Sequence, residues 1–139
     1  MPAHYFDNRD APTPGKAWVV VRAPALTAEA ILAGLRAGRF YASNGVYLKD
    51  IRVTGNGTGN VTGKVLTIQA DWRPDDAGLG AHMYRFRVTF IGAKGRVLKE
   101  AHGLTVDYTI KGDEGYVRAV VTDSDGRKAW TQPVFVDGR

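Results

Sequence analysis

The sequence contains no cysteine among its 139 residues. Disulfide bonds, thiolate zinc sites and a cysteine nucleophile are therefore excluded. No segment approaches the roughly 18 apolar residues that a membrane-spanning helix requires, and the first residues do not resemble a basic, apolar leader. We therefore expect a cytoplasmic protein that has no membrane partner.

Histidine is scarce as well, and His4, His82 and His102 are the only three. No two of them stand at a metal-ligand spacing such as HxH or HxxxH, so we expect His82 and His102 to be exposed loop or strand-end residues. The chain has no GK[ST] phosphate loop. Ser43 is not in a GxSxG nucleophile elbow, and we expect it to be a turn residue.

Two acidic pairs could attract a hard cation through oxygen ligands. Asp75 and Asp76 lie in a Gly-rich loop that lacks the alternating acidic ligands of an EF-hand. Asp123 and Asp125 begin a turn that lacks the distal Glu of a calcium loop. We predict turns at both places, and the residues alone indicate no self-sufficient active site.

The net charge of +5 raises the question of a nucleic-acid partner. The basic residues are scattered, however, and along residues 83–91 the aromatic side chains and the arginines fall on opposite faces of a predicted strand. A nucleic-acid-binding sheet needs exposed aromatic residues beside the positive charge. Core packing of the aromatic residues is therefore favoured, and we do not expect a nucleic-acid partner.

Alternating apolar and polar residues dominate the chain after residue 46, and turn signals separate the alternating segments. The pattern predicts seven short strands, at 48–54, 64–72, 83–91, 96–101, 104–110, 116–122 and 128–136. Such strands packed sheet on sheet favour a mainly β fold, an immunoglobulin-like β-sandwich preceded by a short strand–helix segment. A small barrel is the alternative.

The last two predicted strands form a hairpin that organises the rest of the chain. Asp123 to Gly126 supply its turn, because Asp and Ser side chains bond back to the backbone and Gly tolerates a positive φ. Pro133 interrupts the return strand, since proline cannot donate to a strand ladder. We therefore expect that strand to lie at a sheet edge or to contain a bulge.

The first 45 residues lack the series of alternating strands that follows residue 46. Residues 1–15 lack periodicity and predict a loop or arm. Residues 17–21 are apolar on both faces, which predicts a strand covered on both sides, as in a parallel or mixed sheet. Residues 27–38 predict a helix with Thr27 as N-cap, and Gly34 inside it indicates close packing on the preceding strand. We place a domain boundary at about residue 45, between an N-terminal segment (1–45) and a β-sandwich (46–139).

Two separated stretches of the chain carry a family resemblance. Residues 17–53, AWVVVRAPALTAEAILAGLRAGRFYASNGVYLKDIRV, and the terminal YVRA…AWTQP resemble the C-terminal part of PHP-type (polymerase and histidinol phosphatase) metal-dependent phosphoesterases. The first stretch is similar to the segment that closes their catalytic barrel, and the second to the end of their β-rich tail. The matching positions in the first stretch are Trp18, Thr27, Tyr41, Ala42, Ser43, Asn44 and Gly45.

The resemblance has consequences for metal binding. Family members hold their metal ions with His and acidic side chains at several barrel strand ends, and the last motif is an acidic residue, a spacer and a His. His4 matches that His, whereas Pro2 stands at the acidic position. The resemblance therefore implies a metal-ligand role for His4 only in a full barrel. It implies divalent metal ions in the full-length enzyme, and no cofactor and no catalytic residue in this chain, because one imidazole cannot replace a binuclear clamp.

The function implied by the resemblance is a non-catalytic C-terminal β-sandwich domain of a PHP-type hydrolase. Its expected partner is the catalytic PHP barrel, in the same or another chain, and residues 1–45 are a remnant of that barrel. Without the barrel, the apolar strand and helix must fold onto the sandwich, form a homodimer or leave an exposed apolar patch. The alternative is a stand-alone immunoglobulin-like binding module for carbohydrate or protein.

Overall fold

A computed structural model describes residues 16–55, 61–71 and 85–136. The predicted arm with His4, and the loop with Asp75, Asp76 and His82, lie outside the described residues. The elements are β1 (Trp18–Val21), α1 (Ala28–Arg36), β2 (Phe40–Ser43), β3 (Tyr47–Thr54), β4 (Val65–Asp71), β5 (Arg87–Ile91), β6 (Val97–His102), β7 (Thr105–Thr109), β8 (Tyr116–Thr122), β9 (Lys128–Thr131) and β10 (Val134–Phe135).

The strands form two antiparallel sheets. The larger sheet has the order β1-β2-β9-β8-β5-β6, and β10 pairs separately with β8. The smaller sheet has the order β3-β4-β7. The predicted fold class is confirmed, because the described chain is mainly β, with two sheets that share one core and one short helix near its beginning.

The core lies between the two sheets and is built from the alternating residues of their central strands. Ile68 on β4 and Val88 on β5 are fully buried. The rings of Phe90 on β5 and Tyr108 on β7 stack with their centroids 5.5 Å apart and so join the two sheets. Each such apolar side chain contributes about 1.5–3 kcal/mol when it is removed from water. The core packing predicted for the aromatic residues along 83–91 is confirmed at Phe90.

The hairpin of β8 and β9 turns at Asp123, whose carboxylate is buried. One carboxylate oxygen accepts hydrogen bonds from the backbone N–H groups of Asp125 and Arg127, both at 2.9 Å. The other accepts from Nε of Arg127 at 2.8 Å. Gly126 adopts a φ of 84°, where a side chain would be strained. The predicted turn is confirmed, and Asp123 uses its oxygens within it.

Pro133 interrupts the return strand, as predicted. β9 ends at Thr131 and β10 begins at Val134, and both strands pair with β8. Trp130 lies opposite Val120, whereas Val134 lies opposite Val117, so three steps along β8 match four along the return strand. The extra residue is a bulge, which accommodates a proline that has no N–H to donate.

The predicted helix is confirmed with its caps. The hydroxyl of Thr27 accepts a hydrogen bond from the N–H of Ala30 at 3.2 Å, and Gly38 follows the helix with a φ of 73°. A Cβ atom added to Gly34 would come within 2.7 Å of Cγ1 of Val21. The absence of a side chain at Gly34 therefore allows α1 to lie against the end of β1, as its position in the sequence indicated.

The prediction that β1 is covered on both faces, in a parallel or mixed sheet, is wrong. β1 is an antiparallel strand at the edge of the larger sheet, paired with β2 alone. Helix α1 covers its outer face at Val21, but Val19 on the same face is 50% exposed. A nine-residue helix that packs on one end of the strand leaves the other end open.

The predicted domain boundary at about residue 45 falls in the turn between β2 and β3. On the N-terminal side of that position, β2 pairs with β9, which belongs to the terminal hairpin. The strand–helix segment and the hairpin therefore share one sheet.

Candidate functional site

A cleft of about 410 Å³ lies between the β1–β2 edge of the larger sheet and β3, the edge strand of the smaller sheet. Its lining is apolar in one part and charged in another. The apolar part consists of Val20, Tyr41, Leu48, Ile51, Leu66 and Val134, among others. The charged part consists of Arg22, Arg39, Lys49, Asp50 and Arg52. Concave sites with an apolar body and a few convergent polar groups are typical of small-molecule binding.

The walls of the cleft are held together by the turn between β2 and β3. The hydroxyl of Tyr41 accepts a hydrogen bond from the backbone N–H of Leu48 at 2.9 Å. The hydroxyl of Ser43 donates to the carbonyl of Val46 and accepts from the N–H of Gly45 at 3.0 Å. Ser43, predicted to be a turn residue, is instead the fully buried last residue of β2, and its hydroxyl holds the turn that follows. These bonds set the position of β3 relative to β2.

A bulge at Lys49 shapes the β3 wall. Leu48 lies opposite Ala70 and Asp50 lies opposite Gln69, so Lys49 is an extra residue in the ladder. A bulge changes the direction of the following side chains. As a result Leu48 and Ile51, three positions apart, both pack against the core. Asp50, between them, reaches Arg22 at the β1 edge.

Asp50 is the centre of a small charged cluster. One carboxylate oxygen accepts a hydrogen bond from Arg22 at 2.6 Å, and the other accepts from Arg52 at 2.9 Å. These hydrogen bonds, the one from Arg22 first, hold the pKa of Asp50 below its ordinary value. Because Arg22 follows β1 and Asp50 lies on β3, the pair links the edges of the two sheets.

The charged lining has an excess of positive charge. Four cationic residues and one acidic residue line the cleft, which gives a formal charge of 4 − 1 = +3. Asp50 is shared by two of the arginines. Within the described part of the chain, the guanidinium of Arg39 has neither an ion pair nor a hydrogen bond. The cleft therefore suits an anion better than a neutral molecule.

A second surface, which we call the N-terminal apolar face, lies beside the cleft. It is a shallow hollow whose lining includes Trp18, Val19, Pro24, Leu26, Ile31 and Tyr47. Leu26 is 95% exposed, and the rings of Trp18 and Tyr47 lie with their centroids 6.0 Å apart. Contiguous exposed apolar side chains of this kind mark an interaction surface more often than isolated ones.

Sequence reasoning missed Glu114, which the pattern KGDEG indicated only as part of a turn. Its side chain is 1% exposed and accepts hydrogen bonds at 2.7 Å from the Tyr108 hydroxyl and from the N–H groups of Lys111 and Gly112. Burial alone raises the pKa of Glu114, but these hydrogen bonds outweigh it, so the pKa lies below its ordinary value. Burial and the bond to Glu114 raise the pKa of Tyr108. Glu114 thus holds the turn between β7 and β8.

Of the three histidines, His102 alone lies within the described residues. His102 is the last residue of β6 and is exposed, which confirms the strand-end prediction. The metal-ligand role of His4 in a full barrel concerns a residue outside the described ones and stays a prediction. In residues 16–55, 61–71 and 85–136, no group of three or more His, Cys, Asp or Glu side chains lies where it could hold a metal ion.

The described part of the chain contains no helix that is both long and apolar enough to cross a membrane. No protein-family model matches the sequence, and no curated protein matches it.

Proposed function

We propose that this chain is a non-catalytic C-terminal β-sandwich domain of a PHP-type metal-dependent phosphoesterase, a hydrolase. In this proposal the domain packs on the catalytic PHP barrel, in the same or another chain. The divalent metal ions belong to that barrel, where His4 contributes a ligand. The absence of cysteine fits a cytoplasmic enzyme.

The observation that carries the proposal is the N-terminal apolar face. Val19 and Leu26 expose much of their apolar surface to water. Both belong to the stretch that resembles the barrel-closing segment, so the proposed barrel would lie against them. β1 also ends its sheet, with no strand beyond it among the described residues. An adjoining domain would remove this surface from water, and interfaces between domains of one chain are commonly of 600–1,500 Å².

The first test concerns the partner. The DNA upstream of the Met1 codon is expected to encode HxH-type metal motifs, either in the same frame or in an adjacent gene. Calorimetric titration of the purified catalytic polypeptide with this chain should then show binding. Val19→Asp is expected to weaken it at least tenfold, or by about 1.4 kcal/mol, because a carboxylate would be buried against the barrel.

Val97→Asp is the matched control for this titration. Val97 is also an exposed valine, 60% exposed, but it lies on β6 at the opposite edge of the same sheet. The control is expected to bind like the unchanged chain. Equal binding by both variants, or DNA without such motifs, would contradict the proposal. The chain would then be better described as a stand-alone binding module.

The second test concerns activity. The chain alone is expected to hydrolyse bis(p-nitrophenyl) phosphate no faster than the uncatalysed background in the presence of Mn²⁺. Activation of water and stabilisation of the phosphoryl group need several metal ligands that this chain does not supply under the proposal. Turnover that His4→Ala abolishes would overturn the non-catalytic part.

A stand-alone immunoglobulin-like module for carbohydrate or protein remains the second candidate, and the cleft between the β1–β2 edge and β3 is the observation that favours a binding module. A homodimer formed through the N-terminal apolar face is another way to cover that face. Sedimentation velocity of the chain alone at low and high concentration distinguishes a homodimer from a monomer, and Val19→Asp should abolish dimers formed through this face.

A further inference from the structure

We propose that the cleft between the β1–β2 edge and β3 binds a small organic anion, which has an apolar body and a carboxylate or phosphate head. The cleft shares only Val20 and Val21 with the N-terminal apolar face, and the inference does not depend on the accessory-domain proposal. Three features of the cleft carry it: its size, its division into an apolar and a charged part, and the position of Arg39.

The size and the apolar part favour a small molecule. A volume of about 410 Å³ lies in the usual range of small-ligand sites, roughly 300–1,000 Å³. Both sheets contribute apolar side chains to the lining, with Val20 and Tyr41 from one sheet and Leu48, Ile51 and Leu66 from the other. An apolar ligand body could therefore contact both walls at once. A ligand consisting of a charge alone would leave the exposed parts of the apolar lining in contact with water.

The charged part favours a negative head group. Asp50 already engages the guanidinium groups of Arg22 and Arg52, and the lining still has a formal charge of +3. A planar guanidinium can donate two parallel hydrogen bonds to the two oxygens of a carboxylate or phosphate. A neutral hydroxyl has a single oxygen and cannot accept this pair. A neutral sugar would leave the positive charge uncompensated, so the lining favours an anion over a neutral carbohydrate.

Arg39 is the residue that we assign to the head group. Its backbone N–H donates to the carbonyl of Gly34 at 2.8 Å, and its carbonyl accepts from the N–H of Arg22 at 2.8 Å. The backbone is thus held between α1 and the end of β1. The side chain lines the cleft and has no partner among the described residues. An unpaired guanidinium on a fixed backbone suits a recognition role, because only the side chain has to lose freedom on binding.

Four probes test the two halves of the ligand separately: octanoate, octyl phosphate, octanol and acetate. Their binding is followed by amide chemical shifts of the ¹⁵N-labelled full chain. Octanoate and octyl phosphate are expected to shift amides in residues 20–22, 39–41 and 48–52. Octanol lacks the charge and acetate lacks the apolar body, so each is expected to bind at least tenfold more weakly than octanoate. The tighter of the two anions identifies the head group.

Two arginine variants locate the head group. Arg39→Gln is expected to weaken octanoate binding about tenfold, which corresponds to about 1.4 kcal/mol. Arg36→Gln removes the same charge from the last turn of α1, outside the cleft lining, and is expected to leave the affinity unchanged. Arg39→Lys keeps the charge but loses the planar fork, and its affinity should lie between those of the other two variants.

Three results would overturn the inference. One is octanol binding as tightly as octanoate. Another is a set of shifts confined to the N-terminal apolar face, around Val19 and Leu26. The third is an equal loss of affinity in Arg39→Gln and Arg36→Gln, which would indicate a general effect of net charge. Amide spectra of the unliganded variants verify that each one is folded before its affinity is compared.

Discussion

Similar apolar residues are buried at the centre of the larger sheet but exposed at its β1 edge. At the centre, Phe90 on β5 and Val121 on β8 are fully buried. At the edge, Val19 on β1 is half exposed, and Leu26, in the segment that follows, is almost completely exposed. The run at 17–21 is nevertheless as apolar as any strand in the chain. Apolar character alone therefore does not decide whether a strand residue is buried.

The neighbours of each strand explain the difference. β8 has β9 and β10 on one side and β5 on the other, and its inner face packs against the smaller sheet. β1 has one neighbouring strand and a nine-residue helix that contacts its end. The comparison indicates that the centre stabilises the fold, whereas the edge leaves apolar side chains exposed to water.

The largest effect is expected at the centre. Phe90→Ala should lower the free energy of unfolding by about 3–5 kcal/mol, because it removes a buried ring and leaves a cavity between the sheets. Urea denaturation measures the loss. Leu26→Ala is the comparison variant at the edge, and its expected change is within about 0.5 kcal/mol, because the side chain is already in water. Similar losses in both variants would show that the centre and the edge do not differ in this way.

An intermediate loss of stability is expected in the turn between β7 and β8, which contains the buried Glu114. Because the pKa of Glu114 is lower in the folded chain than in the unfolded chain, its contribution is present above the unfolded value and is lost as the pH falls through the folded value. Glu114→Gln should cost about 2 kcal/mol at pH 7 and should reduce the acid-induced loss of stability. Urea denaturation between pH 2 and pH 7 measures both effects.

The neighbouring Asp113 offers a matched control for this experiment. Its side chain is 72% exposed, so Asp113→Asn should leave both the stability at pH 7 and its dependence on pH nearly unchanged. An acid-induced loss that is the same in Glu114→Gln and in the unchanged chain would assign that loss to other carboxylates.

A smaller loss is expected where helix α1 meets the end of β1. Gly34→Ala raises the helix propensity by about 1 kcal/mol, but the new methyl group would lie 2.7 Å from Val21 and 2.8 Å from the carbonyl of Arg22. Overpacking of this kind costs about 1–3 kcal/mol, so we expect a net loss of about 1 kcal/mol in thermal or urea unfolding. A gain in stability would show that α1 is not held against β1.

Much of the local structure could be predicted from the sequence. Thr27 and Gly38 mark the helix ends, alternation marks the strands, and Pro133 marks the bulge, because each signal acts within a few residues of backbone. The cleft could not be predicted in this way. Arg22 and Asp50 are 28 positions apart, and no periodic pattern indicates that the edges of two sheets meet there. The family resemblance and the role of His4 stay predictions.

The sequence by itself determined the type of most elements, although not of strand β2. It also determined the hairpin turn and the inward faces of the central strands, since those depend on residue size, polarity and backbone preference over short distances. Only the tertiary structure decided which apolar strand lies at an edge, which carboxylate in the 111–115 turn is buried, and which charges share the cleft. The reason is that burial and electrostatic pairing depend on neighbours brought together from distant parts of the chain.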